Sequence, residues 1–415
     1  MSRAALLFTR DLRVHDNPAL AVAAGRFAEV VPLFVLDQRL LAESPNRAAF
    51  LVDALRDLGR SLERLDARLA IRRGDAAEAV RAVGAECVVL AEDASPYAKR
   101  REERLRAAGL EVVTTPGISV HQPGELAPAG GDHYRVFTPY WRRWVEAGVP
   151  QEEPAPSRLH GPDVDSDPLP EASPESPEVA RGGERAALRR LEEWLDGGGL
   201  ERYEEHRNEP AADATSRLSP YLHFGCLSPA EVVRRVHGRK RAEPFLRQLC
   251  WRDFYTQLLW ANPRSLRENL TGGEPAWEND ERGLEAWKAG RTGYPFVDAA
   301  MRQLLREGWM HNRARLVAGS FLTKHLLVDW RLGERHFRRL LVDGDAANNV
   351  GNWQWVAGTG ADTRPYRILN PTLQAERHDP AGEYVRRYAP DGVEPVVDHA
   401  EAVRRFRARA DRKGS

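Results

Sequence analysis

The chain has 415 residues, and its 61 lysines and arginines balance 61 aspartates and glutamates at an isoelectric point near 7.2. That length supports two or three domains with ample buried core, while the neutral balance names no partner through global charge. Cys87, Cys226 and Cys250 are scattered without CxxC spacing, one thiol short of a four-thiolate iron–sulfur cluster and consistent with a reducing compartment.

In chain order, the apolar run in MSRAALLFTRDLR is too short for a signal peptide, and no segment approaches a membrane span. A cytoplasmic protein without membrane association is expected. Short apolar runs then alternate with helical patterns. AALLF, VVPLFVLD, RLAIR, CVVLAE and LEVVTT read as strands, and AAFLVDALRDLGRSLERL carries Phe50, Leu51, Leu55, Leu58, Leu62 and Leu65 at helical spacing. The alternation predicts an α/β domain with a parallel, Rossmann-like sheet. Its first strand leads into TRDLRVHDNP, which has no glycine to cradle a pyrophosphate, so a GxGxxG dinucleotide site is not expected.

The stretch QEEPAPSRLHGPDVDSDPLPEASPESPE, from Gln151 to Glu178, is acidic and proline-rich and reads as a linker. Downstream, RRVHGRKRAEPFLRQLCWRDF holds Arg234, Arg235, Arg239, Lys240, Arg241, Arg247 and Arg252 against two acids, Glu243 and Asp253. Such a run is either a solvated arginine-rich helix or a phosphate-binding face that the acidic linker masks. The remainder is helical in pattern, in ERAALRRLEEWL, PAEVVRRV, FLRQLCWRDFYTQLLW, VDAAMRQLLREGW and FLTKHLLVDW, and nine of the eleven tryptophans lie from Trp194 onwards. The expected division is an α/β domain over 1–130, a linker over 131–178, a larger all-α domain over 179–395 and a short tail over 396–415.

DGDAANNVGNWQW, residues 343–355, packs acids, amides and indoles together. One reading is a helix start, with Asp343 or Asp345 capping and Trp353 and Trp355 buried beneath. A calcium loop is disfavoured, because Ala347, Asn348 and Gln354 stand where an EF-hand needs an oxygen ligand, a glycine and a closing glutamate.

The helical half also contains, in order, YEEHRNEPAADATSRLSPYLHFG, QLCWRDFY, GRTGYPFVDAAMRQLLREGWMHNRAR and FLTKHLLVDWRLGERHF. Together with DGDAANNVGNWQW these resemble the FAD-binding domain of the photolyase/cryptochrome family, and FTRDLRVHDNPAL is similar to that family's N-terminal antenna domain. SRLSPYL and TGYPFVDAAMRQL look most like the class I cyclobutane dimer photolyases.

The resemblance implies a light-driven carbon–carbon lyase. Excited FADH⁻ would donate an electron to a cyclobutane pyrimidine dimer flipped out of UV-damaged DNA, and recover it after the ring splits. Flipping of this kind is general for enzymes that do chemistry on bases held in a duplex. By resemblance, Tyr203, Thr215, Ser216, Arg217, Leu218 and Ser219 grip the cofactor's phosphates. Gln248, Arg252, Trp309, Asn312, Arg315, Asp343, Gly344, Asp345 and Asn349 complete its pocket, with Arg315 pairing Asp343, Asp345 on the flavin's polar edge and Asn349 facing N5. Trp353, Trp330 and Trp277 form an electron relay to the surface. Trp251, Trp355, Tyr255, Leu316, Gln248 and Asn312 face the lesion, while Arg207 and Arg313 face phosphates. The family also implies a second, antenna chromophore, which is a deazaflavin, a folate or a second flavin; Arg101, standing where folate-binding relatives place an acid, leans towards deazaflavin. A monomer with no protein partner is expected.

Three departures from the family pattern stand out. Gln248 replaces the glutamate typical of cyclobutane photolyases and matches the (6-4) enzymes, Leu316 replaces a methionine, and YVRRYAPDGVEPVVDHAEAV skips a loop before the tail. The (6-4) chemistry, however, uses histidines where this chain has Asn312 and Leu316, so the cyclobutane dimer is the favoured lesion. The rivals are a (6-4) photolyase, a cryptochrome-type photoreceptor and, more distantly, a light-independent nucleotide-binding enzyme.

Overall fold

The computed structural model describes residues 3–271, 275, 277–361, 367–389 and 392–411. Pro390 and Asp391, within the stretch expected to be shortened, and the last four residues of the tail lie outside the described residues. The chain forms two compact units: residues 1–174, 180–201 and 216–263 make the first, and 175–179, 202–215 and 264–415 the second.

The first unit is built on a five-stranded parallel sheet in the order β3-β2-β1-β4-β5. Its strands are β1 (Arg3–Leu7), β2 (Glu29–Leu36), β3 (Ala70–Arg73), β4 (Cys87–Ala91) and β5 (Glu111–Thr115), the five expected from the apolar runs. β1 is central, so Ala4, Ala5 and Leu6 are wholly buried and the strand reads as a continuous apolar run. Crossover helices α1 (Pro18–Arg26), α2 (Gln38–Glu43), α3 (Pro45–Glu63), α4 (Ala76–Ala82) and α5 (Pro96–Ala107) follow the strands. Each starts at a side-chain cap, from Asn17, Asp37, Ser44, Asp75 and Ser95 in turn. Pro18, Pro45 and Pro96 occupy first helical positions, where no N–H is needed. Ala5, Leu7, Leu33, Val88 and Leu90 pack with Val80 and Leu105 in one core.

The same unit carries α6 (Phe137–Glu146), α7 (Glu184–Asp196), the start of α8 (Gly199–His206), α9 (Ser219–Phe224), α10 (Pro229–Val236) and α11 (Glu243–Ala261). Arg13 ties sheet to helices: its buried guanidinium donates to the carbonyls of Asp16, Gly117 and Gly225. The proline-rich linker lies along the sheet, with Leu159 and Asp167 N–H donating to the carbonyls of Leu65 and Ile71. Its Glu152 meets His15 and its Asp163 meets Arg68, while Glu175 and Glu178, in the second unit, meet Arg339 and Arg306. Arg234, at the head of the basic run, instead holds Asp16 and the Pro150 carbonyl. The linker acids therefore spend their charge elsewhere, and the mask expected from composition does not form through these pairs.

The second unit holds the rest of α8 with α12 (Glu281–Lys288), α13 (Pro295–Glu307), α14 (Asn312–Ser320), α15 (Trp330–Leu340), α16 (Ala346–Ala357), α17 (Pro371–His378), α18 (Glu383–Tyr388) and α19 (His399–Asp411). Among the described residues no strand follows β5. Trp287, Met301, Phe321, Trp330, Phe337 and Trp353 share its core. One expectation needs correction: FLTKHLLVDW is not a single helix. α14 ends in a wider π turn, Phe321–His325, the chain reverses at Leu327 with φ +52°, and α15 starts afresh at an Asp329 cap. Apolar spacing ran on through the break because Leu326, Leu327 and Val328 stay buried outside the helix.

Candidate functional site

DGDAANNVGNWQW forms the entry to α16 and the helix itself. Asp345 is the N-cap: its carboxylate accepts from Asn348 N at 2.8 Å and from Asn348 Nδ2 at 2.7 Å. Two residues earlier, buried Asp343 takes both its oxygens to Arg315 Nη2, at 3.1 and 2.8 Å, while Arg315 Nε donates to the Met310 carbonyl at 2.8 Å. The expected Arg315–Asp343 pair is therefore present, held between the starts of α14 and α16. The helix-start reading holds for the Asp345 cap, which fixes that carboxylate's direction, and for buried Trp353, whereas Trp355 is only half-buried. Gly344, between them, is buried. Asn349 is buried and donates to Glu334 Oε1 at 3.0 Å, so its amide cannot rotate freely.

Trp353, one turn further along, meets Phe337 at 4.9 Å and 71°. It packs against α15 at Gly333, where a Cβ would come within 2.3 Å of its ring, so only glycine admits the indole. Trp330 is wholly buried and donates from Nε1 to Asn269 Oδ1 at 2.9 Å, with the Arg331 guanidinium 5.0 Å from its ring. Trp277 packs, half-buried, against the same core. The three expected relay indoles thus share one core with exposure rising from Trp353 and Trp330 to Trp277. Trp287, not singled out from the sequence, lies 6.0 Å from Trp353 at 71° and is wholly buried.

Four arginines gather elsewhere in the second unit. Arg313 donates to Asn208 Oδ1 at 2.7 Å, and its guanidinium is drawn below its ordinary pKa, first by burial and then by Arg377, Arg207 and Arg367. The Arg367 guanidinium lies 5.8 Å from the Trp355 ring. Burial, then Arg313 and Arg377, hold His378 neutral with a pKa lowered to about 4. Like charges gathered at this cost are the mark of a site for an anion. Arg207 and Arg313 were expected here from the sequence. Arg367, Arg377 and Asn208 were not, since nothing local in their segments distinguishes them from surface residues. Of the other expected residues, Trp309 is buried, Leu316 and Thr215 are half-buried and Asn312 is exposed. Tyr203 is buried, which pushes its hydroxyl up to about 12 and keeps it a donor.

In the first unit, Ser216 and Leu218 are buried, Ser219 is exposed at the first position of α9, and the Ser216 carbonyl accepts from Arg190 Nε at 2.9 Å. Arg217 adopts φ +52°, a conformation that non-glycine residues hold only where surroundings enforce it, and such residues cluster at ligand sites. On α11, Gln248, Trp251, Arg252 and Tyr255 fall at i, i+3, i+4 and i+7, hence on one face. Trp251 stacks on Phe137 with centroids 3.7 Å apart and planes 2° apart. Arg252 donates to the carbonyls of Ile118 at 2.6 Å and Leu222 at 3.2 Å, which makes it a tie within the fold as well as an expected cofactor contact.

Residues 4–158 match the DNA photolyase family model, and residues 245–394 match the FAD binding domain of DNA photolyase. Deoxyribodipyrimidine photo-lyase of Streptomyces griseus is 48% identical, with 98% of each chain covered. The chain belongs to the DNA photolyase family. A bacterial class III photolyase from Agrobacterium tumefaciens superposes with a TM-score of 0.92 at 36% identity, over 100% of this chain and 98% of its own. An archaeal photolyase from Sulfolobus tokodaii, whose structure holds two FAD molecules, gives 0.87 at 30% identity over 99% and 100%. The photolyase fold is thus matched end to end, from the sheet through α19. No helix among the described residues is long and apolar enough to cross a membrane.

The donor set fits FAD. The Asp345 carboxylate, oriented by its cap, suits an imide edge; the Asn349 amide suits a ring nitrogen; Arg315, neutralised by Asp343, adds polarity without net charge. In the same unit, the protonated hydroxyl of buried Tyr203 suits a phosphate oxygen.

Proposed function

We propose that this chain is a light-driven deoxyribodipyrimidine photo-lyase that carries FAD and splits cyclobutane pyrimidine dimers in DNA. The observation that carries this reading is whole-chain similarity to an enzyme of that name, 48% identical over 98% of both chains. When bound and reduced, FAD supplies the electron that opens the dimer, and that chemistry is the cofactor's own.

The protein's part is to bind, orient and exclude water. Tyr203, Thr215, Trp309, Asn312, Arg315, Asp343, Gly344, Asp345 and Asn349 hold the flavin. The matching roles of Ser216, Arg217, Leu218, Ser219, Gln248 and Arg252 rest on their motifs. Trp353, Trp330 and Trp277 pass electrons inward to keep the cofactor reduced, an assignment their shared core supports. By their motifs, Trp251 and Tyr255 on the first unit and Trp355 and Leu316 on the second take lesion-facing roles, the tryptophans as stacking faces, and Arg207 and Arg313 neutralise flanking phosphates. The α/β domain over 1–130 takes a second chromophore, a deazaflavin, folate or flavin. The linker over 131–178 joins it to a catalytic domain over 179–395, and residues 396–415 form the tail. The protein acts as a cytoplasmic monomer.

The test is direct. The purified protein should show flavin absorbance and, once reduced, clear cyclobutane dimers from an oligonucleotide under blue light and not in darkness. A protein that binds flavin and repairs neither lesion would be a photoreceptor, and dark activity would remove the light-driven reading.

A further inference from the structure

Arg247 stands one residue before Gln248 on α11 and belongs to none of the family motifs used above. Its guanidinium carbon lies 5.2 Å from the Phe137 ring centroid and 5.1 Å from that of Trp141, both on α6. Phe137 in turn stacks on Trp251 at 3.7 Å, and Trp141 stacks on Trp144 at 5.7 Å and 19°. Arginine and aromatic rings therefore form a continuous ledge, from Trp251 through Phe137 and Arg247 to Trp141. α6 and α11 position it: Phe137, Tyr140 and Trp144 are buried against α11, which leaves Trp141 half-buried beside Arg247.

What distinguishes Arg247 is how it is held. Among the described residues its guanidinium makes no hydrogen bond and one ion pair, to Glu243, which is loose at 3.9 Å with the Arg247 side chain 34% exposed. Arg252, five residues on, commits its guanidinium to two backbone carbonyls. Two ring faces fix the direction of the Arg247 guanidinium while leaving its planar fork of N–H donors unspent. An arginine oriented by cation–π contact and not by hydrogen bonds is preorganised for an oxyanion, and the phosphodiester is the oxyanion that accompanies every nucleotide.

We propose that Arg247, braced by Phe137 and Trp141, clamps a DNA phosphate flanking the lesion. This makes the α6–α11 ledge a docking surface that extends the one offered by Trp251. The inference rests on the photolyase reading. Arg247 is a positioning residue: it sets where the strand lies against Trp251 and takes no part in ring splitting.

The experiment measures binding of the full-length protein to a duplex containing one cyclobutane dimer, by fluorescence anisotropy across 50 to 200 mM salt. One phosphate contact steepens the log–log salt slope by about 0.9, so wild-type affinity should fall by about 3.5-fold more than that of Arg247→Ala over this range. Replacing single phosphates flanking the dimer with neutral methylphosphonates should locate the contact. At one position wild type should fall to the level of Arg247→Ala, and Arg247→Ala should be indifferent. Trp141→Ala should weaken binding with the salt slope unchanged, since the charge stays and only its brace is lost. Arg247→Ala with a wild-type slope, or additive losses at every methylphosphonate position, would overturn the proposal. Failure of the photolyase reading is separable, because wild type itself would then show no preference for the dimer-containing duplex over undamaged DNA.

Discussion

Gln248 sits half-buried on the α11 face that also carries Trp251 and Tyr255. A pyrimidine edge presents a carbonyl acceptor and an imide N–H donor, and a neutral amide satisfies both without ionisation. A carboxyl group donates to the carbonyl only while protonated. Gln248→Glu should therefore stay within about tenfold of wild-type repair but acquire a pH dependence, falling as the proton is lost. Gln248→Leu should cost roughly 1–3 kcal/mol in binding or splitting, because the lesion edge is left unpaired. Repair assayed across pH with both variants checks this; a flat profile for Gln248→Glu contradicts it. At the relay, Trp353→Phe should block photoreduction of oxidised flavin yet leave repair intact when the cofactor is chemically reduced first. Loss of repair by the reduced variant at normal flavin content would refute the role. Among single residues, the acids of DGDAANNVGNWQW were legible as a helix start because Asp and Asn favour caps, and Asp345 caps α16. Trp287 and Arg367 were not, because what marks them is proximity to Trp353 and Trp355 across the fold.

Elements were legible where one local rule governed them. The five strands of the first unit follow from apolar runs bounded by caps, since a central parallel strand buries both faces. The π turn at Phe321–His325 and the restart at Asp329 were not legible, because burial of Leu326, Leu327 and Val328 mimics helical spacing. That turn holds a pH-sensitive contact. Asn370 Nδ2 donates to His399 Nε2 at 3.0 Å, leaving His399 Nδ1–H to donate to His325 Nε2 at 2.9 Å. His325 is wholly buried, and burial first, then His399, lowers its pKa to about 4. An unfolded histidine takes its proton near pH 6.5, so the unfolded state binds more protons between there and 4. The stability this contact supports is thus fully present above pH 6.5 and lost as pH falls towards 4, by roughly 2–3 kcal/mol. Urea titrations from pH 7.5 to 4.5 should show the loss, and His325→Phe should show a shallower one. An identical fall in the variant would rule out His325 as its source.

At the scale of the whole molecule, the resemblance of scattered motifs predicted an α/β domain followed by a helical one, and both are found. Charge was less legible. The sequence balances to zero, yet the fold gathers Arg207, Arg313, Arg367 and Arg377 from four separate segments. A cluster of that kind has no local signature, because its cost is met only when a polyanion binds. Affinity for dimer-containing DNA should therefore fall linearly with salt on logarithmic axes, and Arg313→Ala should flatten the slope by about one unit. A salt-insensitive affinity would contradict the assignment. Lesion chemistry is what defines the activity proposed for this chain. Cyclobutane dimers and (6-4) products, offered separately to the reduced protein under blue light, should give restored pyrimidines from the first and unchanged product from the second. Repair of (6-4) products with cyclobutane dimers untouched would contradict it.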